Sequence, residues 1–324
     1  MILALETSCD ETCAAVMTPS GKLLASIVAS QAADHAAYGG VVPEIASRRH
    51  LELLPPTVAA ALAEAGCSSA DVTLVAVSAG PGLIGALLVG VSYAKGFAYA
   101  NDVPLVAVDH LHGHVASLAL ADAPPVGAHL VLLASGGHTL LIDVDEHGTL
   151  TTLARSLDDA AGEAFDKGAR LLGLGYPGGP LLAALAADGD PLRHPFTTPL
   201  RGRSDLAFSF SGLKTGLAMA VAAQAAPTAD LAAAYQEAIV EHLLDRARLG
   251  LAASGRTTLG LVGGVAANTR LRERLTELPA TVVAAPLAWC GDNAAMIAAA
   301  ARQLDPLGAE ARLALDAHAR SPLG

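Results

Sequence analysis

The chain has 324 residues, 52% of them hydrophobic and 16% charged, with a formal net charge of −11. That composition excludes intrinsic disorder, and the length predicts two domains at about 100–200 residues each. The negative charge excludes nucleic-acid binding through the whole surface, because phosphate neutralisation dominates such affinity; a role with nucleic acid would need a local basic patch or a basic partner.

Glu6 and Asp10 interrupt the hydrophobic start and no basic stretch precedes it, so the N-terminus is not read as a signal peptide. Cys9, Cys13, Cys67 and Cys290 form no CxxC pair or disulfide framework, which predicts reduced thiols and a cytoplasmic location. A strand is expected at Ile2–Leu5, a polar turn at Thr7–Thr12 and a returning strand at Cys13–Met17. A helix is expected from Val41, with Pro43 in its first turn, to Leu62. Asp71 to Lys95 encloses an uncharged stretch, and about 20 apolar residues suffice to cross a bilayer. Ser78-Ala79-Gly80-Pro81-Gly82 breaks that stretch, so it reads as a buried strand (Val72–Val77) and an Ala/Gly-rich buried helix (Gly85–Tyr99), and no membrane span is expected. A further strand follows at Leu105–Val108.

The pattern then restarts. Leu130–Ala134 and Thr139–Val144 read as strands joined by the tight turn Ser135-Gly136-Gly137-His138. Leu259–Val262 leads into Gly263-Gly264-Val265-Ala266-Ala267-Asn268 and a helix carrying Arg270, Arg272 and Arg274. A last helix begins near Asp292, which is well placed as its N-cap. The Pro-rich run Ala123–Val126 marks the expected junction, giving domains 1–125 and 126–324 with the last helix free to pack back on the first. Strands alternating with helices predict an α/β fold, and two hairpin-led halves suggest duplication.

Three turns rich in glycine or hydroxyls can offer backbone N–H groups to an anion. One such turn is commonly only a turn; three at these positions resemble the actin, hexokinase and Hsp70-type ATPase fold. His110-Leu111-His112-Gly113-His114 is the second constellation. On a helix His110 and His114 share a face and can chelate a divalent metal; in an extended segment all three histidines would share one. A histidine cluster without metal fits the spacing equally well, and Asp292 suits a third ligand as well as a cap. Leu111 stands where a zincin would place its general-base glutamate. Asp10 and Glu11 lie in the first turn, where acids can meet a metal, a phosphate or only solvent.

Longer runs carry a closer resemblance: Glu6-Thr7-Ser8-Cys9-Asp10-Glu11-Thr12, Tyr38-Gly39-Gly40-Val41-Val42-Pro43-Glu44, Ala79-Gly80-Pro81-Gly82-Leu83 and Ser135-Gly136-Gly137-His138-Thr139. Asp158 to Lys167, Tyr176-Pro177-Gly178-Gly179-Pro180, Phe208 to Thr215 and the Gly263–Asn268 turn complete the set. From Met1 to about Met296 the chain resembles the TsaD family of bacterial type, the tRNA N6-adenosine threonylcarbamoyltransferases.

The resemblance implies a two-domain actin/hexokinase/Hsp70-like (ASKHA) fold with duplicated ribonuclease H-like halves. It implies an acyltransferase that moves the threonylcarbamoyl group of threonylcarbamoyl-adenylate to N6 of the adenosine 3′ of the anticodon, in tRNAs reading codons that start with A, and releases AMP. Carried over, His110, His114 and Asp292 would hold one divalent metal, iron favoured over zinc. Leu133, Ala134, Ser135, Gly136, Gly137, Asp166, Gly179 and Asn268 would bind the adenylate-type nucleotide substrate, and Asp10 and Glu11 would serve catalysis. His112 stands where similar bacterial members usually carry Glu, which leaves it open as an extra ligand. The family also implies partners beside tRNA: an inactive paralogue (TsaB-like) and a P-loop ATPase (TsaE-like). They would complete a tRNA surface that Arg48-Arg49 and Arg270, Arg272 and Arg274 supply only in patches. Two other functions fit parts of the pattern, a metal-dependent glycoprotein endopeptidase and a non-enzymatic actin-like ATP-binding scaffold.

Overall fold

Every residue of β1 (Ile2–Glu6) is buried, because the strand is central in its sheet and covered on both faces. The computed structural model describes residues 1–324. They form two compact units, Met1–Leu120 with Asp292–Pro322, and Ala121–Gly291 with Leu323–Gly324.

In the first unit, β2 (Glu11–Met17) returns antiparallel to β1, and β3 (Leu23–Ser30) returns antiparallel to β2. The short α1 (Ala32–Ala36) precedes α2 (Pro43–Glu64), whose first residue is the proline, with its pre-set φ and no N–H to satisfy. Then come β4 (Leu74–Gly80), α3 (Ile84–Ala100), β5 (Leu105–Asp109) and α4 (His110–Ala116). β4 lies parallel to β1 and β5 parallel to β4, so the order is β3-β2-β1-β4-β5. The uncharged stretch is buried strand and helix: a Cβ on Gly90 of α3 would sit 2.4 Å from Thr7 Oγ1, and one on Gly85 2.5 Å from Ser47 Oγ. Small residues let α3 lie directly on β1 and α2. No helix is long and apolar enough to cross a membrane.

The second unit repeats the plan. Its elements are β6 (His129–Ala134), β7 (Thr139–Val144), β8 (Leu150–Arg155), α5 (Ala161–Leu171), α6 (Gly178–Ala186), α7 (Ser211–Ala222), α8 (Thr228–Ser254), β9 (Thr258–Val262), α9 (Thr269–Leu275) and β10 (Thr281–Ala284). The order β10-β9-β6-β7-β8 has the same antiparallel hairpin and parallel additions as the first sheet. The chain then returns to the first unit with α10 (Ala294–Ala301), buried on every side, and α11 (Ala309–Ala314). The cap expected from Asp292 is made by Asn293, whose Oδ1 accepts the Met296 N–H at 2.9 Å. Asn293 is extended and directly precedes the first helical residue, so the capping geometry falls to it.

Candidate active site

β5 ends in Asp109, whose carboxylate accepts the N–H groups of Leu111 (2.9 Å) and His112 (3.2 Å). That cap starts α4 at His110 without a loop, and one turn later His114 lies on the same face. The two rings stand edge to face with centroids 4.7 Å apart. α4 packs tightly on α10: a Cβ on Gly113 would fall 2.8 Å from Ile297 Cδ1. The start of α10 thereby brings Asp292 Oδ1 to 3.3 Å from His114 Nε2 and 3.6 Å from His110 Nε2. One donor atom from each of His110, His114 and Asp292 lies within 4.8 Å of the others, and His112 is outside the group because the helix turns it away.

This donor set fits a divalent cation. Both ring nitrogens of His114 are buried and neither makes a hydrogen bond, Nε2 having only the 3.3 Å approach of Asp292 Oδ1, which is costly for an imidazole unless a cation takes its lone pair. Asp292 retains 24% side-chain exposure, so the group is open on one side, as a ligand-exchanging site requires. Burial opposes a charged His110, and the carboxylates of Glu6 and Asp292 more than offset it, holding its pKa up at about 9. The same negative field favours a metal cation.

Asp10 lies in the turn after β1, and Glu11 heads β2. One Glu11 oxygen accepts the Ser30 hydroxyl at 2.8 Å, while the other is buried without a partner. Burial, together with the charges of Asp10 and Asp292, raises the Glu11 pKa to about 7 against the Ser30 hydrogen bond. Cys9, immediately before them, is held as a thiol, first by burial and then by Asp10 and Asp292.

The remaining residues belong to the second unit. Leu133 and Ala134 end β6, and Ser135-Gly136-Gly137 form the turn to β7, closed by Ser135 N–H on His138 O at 2.8 Å. Gly263, the residue after the parallel neighbour β9, lies beside them with φ +92; a Cβ there would lie 2.3 Å from Ala134 O. α5 begins against the same turn, Gly162 N–H donating to Ser135 O at 3.0 Å. Thus Leu133–Gly137 and the Gly263–Asn268 junction leave the carboxyl ends of adjacent parallel strands, where open α/β sheets bind ligands. Asp166 of α5 accepts the N–H groups of Gly178 (2.9 Å) and Gly179 (3.1 Å) and so fixes the start of α6. Asn268 caps α9 through Leu271 N–H (2.9 Å) and donates to Gln236 Oε1 (2.8 Å). It lines a cleft of about 680 Å³ with Ala183, Gln236, Glu237, Thr269 and Arg270, a volume within the range of small-molecule sites. Leu133–Gly137, Asp166 and Gly179 are not among the cleft's lining residues.

The arginine patch expected on α9 is spent internally. Arg270 forks onto Glu237, Arg274 bonds Glu237, Glu241 and Glu277, and Arg272 donates to the carbonyls of Ala266 and Ala285. Sequence reasoning also passed over Glu6, fully buried and 2.9 Å from His110 Nδ1. Its signal was a carboxylate closing a strand that is otherwise apolar, since a buried charge needs a partner.

The family model described as "TsaD: tRNA N6-adenosine threonylcarbamoyltransferase" matches residues 22–299. Two curated relatives bear the name tRNA N6-adenosine threonylcarbamoyltransferase. The one from Sphingopyxis alaskensis is 49% identical over 96% of this chain and 94% of its own length. The one from Trichlorobacter lovleyi is 47% identical over 100% of this chain and 97% of its own. Among solved structures, HypF of T. kodakarensis superposes with a TM-score of 0.64 at 15% identity over 93% of this chain and 47% of that one. Component A of the (R)-2-hydroxyglutaryl-CoA dehydratase of Acidaminococcus fermentans does so with 0.58 at 16% identity, over 93% and 96%. These likenesses show the two-domain α/β fold of the actin, hexokinase and Hsp70 type.

Proposed function

The chain belongs to the family of tRNA N6-adenosine threonylcarbamoyltransferases, and on that premise we propose how its residues divide the work. The reaction is an acyl transfer: N6 of a tRNA adenosine attacks a threonylcarbamoyl carbonyl, the bond to the leaving group breaks, and N6 gives up a proton. With threonylcarbamoyl-adenylate as donor the leaving group is AMP. The adenosine is the one 3′ of the anticodon in tRNAs reading codons that start with A.

AMP leaves readily from a mixed anhydride, whereas the N6 lone pair is delocalised into the purine ring. Catalysis therefore needs placement of the amine and stabilisation of charge at the carbonyl more than a covalent intermediate. His110, His114 and Asp292 would hold one divalent metal; two imidazoles and one carboxylate suit iron(II) and zinc alike, and the family resemblance favours iron. When bound, that metal supplies Lewis-acid charge stabilisation to donor oxygens. The observation that carries this reading is the convergence of three donor atoms within 4.8 Å around a His114 whose ring nitrogens have no hydrogen-bond partner.

Asp10 and Glu11 act at the amine. A carboxylate with a pKa of about 7 is matched to accept a proton near neutrality, which favours Glu11 as the acceptor. The adenylate belongs to the second unit: Leu133, Ala134, Ser135, Gly136 and Gly137 offer the backbone of a tight turn, and Asp166 and Gly179 the start of α6. Asn268 contributes to the adjoining cleft, whose size suits a nucleoside.

The net charge of −11 and the internal pairing of Arg270, Arg272 and Arg274 support a need for partners in gripping tRNA. The inactive paralogue and the P-loop ATPase fill that need. Exposed Leu51, Ile84 and Leu88 on α2 and α3 support a helix-bundle contact with the paralogue. A cytoplasmic location accords with the substrate.

The test is nucleoside mass analysis of an unmodified tRNA reading A-starting codons, incubated with the protein, both partners and threonylcarbamoyl-adenylate. Threonylcarbamoyladenosine is expected, and His110→Ala is expected to abolish it together with bound metal. No product from the wild-type mixture, and no adenylate binding, would overturn the reading.

A further inference from the structure

The two histidines of the metal group are held differently. His114 Nδ1 has no hydrogen-bond partner. His110 Nδ1 lies 2.9 Å from Glu6 Oε2 and 3.2 Å from Ser8 Oγ. Glu6 has no solvent exposure, and its other oxygen accepts the Ser8 backbone N–H at 2.5 Å. The carboxylate therefore sits at the closed end of β1 with one oxygen fixed by backbone and the other aimed at the imidazole.

We propose that Glu6 is a positioning residue for the metal: it fixes the proton of His110 on Nδ1 and so presents the Nε2 lone pair to the cation. An ionised carboxylate only accepts hydrogen bonds, so the ring nitrogen facing it must be the donor. The remaining nitrogen, Nε2, faces Asp292 Oδ1 at 3.6 Å. A carboxylate behind a ligating histidine orients the ring and raises its basicity. Charge also balances, since Glu6 and Asp292 with two neutral imidazoles offset a dication. This inference rests on the reading of His110, His114 and Asp292 as metal ligands.

Glu6→Gln separates the effect from simple packing, because shape and volume barely change. The Ser8 N–H can only donate, so it claims the amide oxygen. The amide NH₂ then faces His110 Nδ1, which must accept, and the ring proton moves to Nε2, where the cation should bind. The change inverts the tautomer without opening a cavity.

The experiment uses the full chain and zinc(II) alone, with affinity read by competition against a chromophoric chelator. In zinc-loaded wild-type protein, ¹⁵N imidazole shifts are expected to show His110 metallated at Nε2 and protonated at Nδ1. Glu6→Gln is expected to bind zinc about 10–100-fold more weakly, while the metal-free variant still unfolds cooperatively, at a lower temperature because the buried Glu6–His110 pair is lost. Equal zinc affinity in a folded Glu6→Gln protein would overturn the role of Glu6 and leave the metal site standing. If the variant does not fold, the wild-type ¹⁵N spectrum still decides, since metallation through Nδ1 rules the proposal out. A wild-type protein that takes up no zinc, iron(II) or cobalt(II) overturns both the inference and the metal reading beneath it.

Discussion

In the first unit the strand ends deliver side-chain charge: Glu6 at the end of β1, Glu11 at the start of β2, His110 and His114 after β5. In the second unit, built on the same strand order, they deliver backbone: Ser135-Gly136-Gly137 after β6 and Gly263-Gly264 after β9. One topology thus presents carboxylates and imidazoles in one copy and N–H groups with little side chain in the other. On the proposed reading the first copy takes a cation and a proton, the second a phosphate and a sugar. Duplicated folds keep the sheet and spend sequence on the turns.

The largest effect expected from breaking the first half of that contrast comes from His114→Ala. It removes a buried imidazole that makes no hydrogen bond and whose Nε2 lies 3.3 Å from Asp292 Oδ1, so the proposed ligand set loses its most buried member. Elemental analysis should show loss of metal, and threonylcarbamoyladenosine formation should fall by about a thousandfold or more. Full metal content in the variant would remove His114 from the ligand set.

The second half breaks at Gly263, where φ is +92 and a Cβ would press on Ala134 O at 2.3 Å. Gly263→Ala should cost about 3 kcal/mol in urea unfolding. Gly264→Ala, with no atom within 4 Å of its Cβ position, is the control and should shift the midpoint little. Metal uptake by the first unit should survive in both.

How far the sequence could be read follows the same division. Central strands announce themselves by unbroken apolar runs, as in Ile2–Leu5 and Leu130–Ala134, since both faces are covered. Three of the four edge strands, β3, β8 and β10, passed unread, because exposed residues such as Thr151 and Thr281 break the apolar run, whereas the edge strand β5 keeps one. His110 and His114 could be paired by spacing alone, but the join to Asp292 spans the length of the second unit: the residues offered Asp292 equally as a ligand or a cap, and the family resemblance chose the ligand. The choice of Asn293 over Asp292 as cap turns on the helix starting at Ala294, a one-residue difference that the residue pattern does not encode. Arg270 and Arg274 looked like a basic patch because their partners Glu237 and Glu241 lie on another helix.

A pH profile sharpens the claim that the first unit handles the proton. Glu11 must be ionised to accept one, and with its pKa raised to about 7 the ionised fraction falls about tenfold per pH unit below that value. The rate of transfer should therefore rise with pH up to about 7 and level off above it. Glu11→Gln should lower the rate by about a hundredfold and flatten that limb. An unchanged rising limb in Glu11→Gln would assign the titration to another group.

The smallest expected effect tests whether the two units keep their tasks separate. Asn268 stands in the second unit with both ends of its amide engaged, Oδ1 on Leu271 N–H and Nδ2 on Gln236 Oε1. Asn268→Ala uncaps α9 and frees Gln236, which also lines the cleft, so the wall against which a nucleoside would lie loses its fixed polar edge. An N-cap is worth about 1 kcal/mol, and a neutral hydrogen bond about the same. Adenylate binding should weaken by about tenfold, measured by calorimetry, while elemental analysis shows the metal retained. Loss of metal from Asn268→Ala would mean that the second unit helps hold the cation, and the division between charge in one copy and backbone in the other would fail.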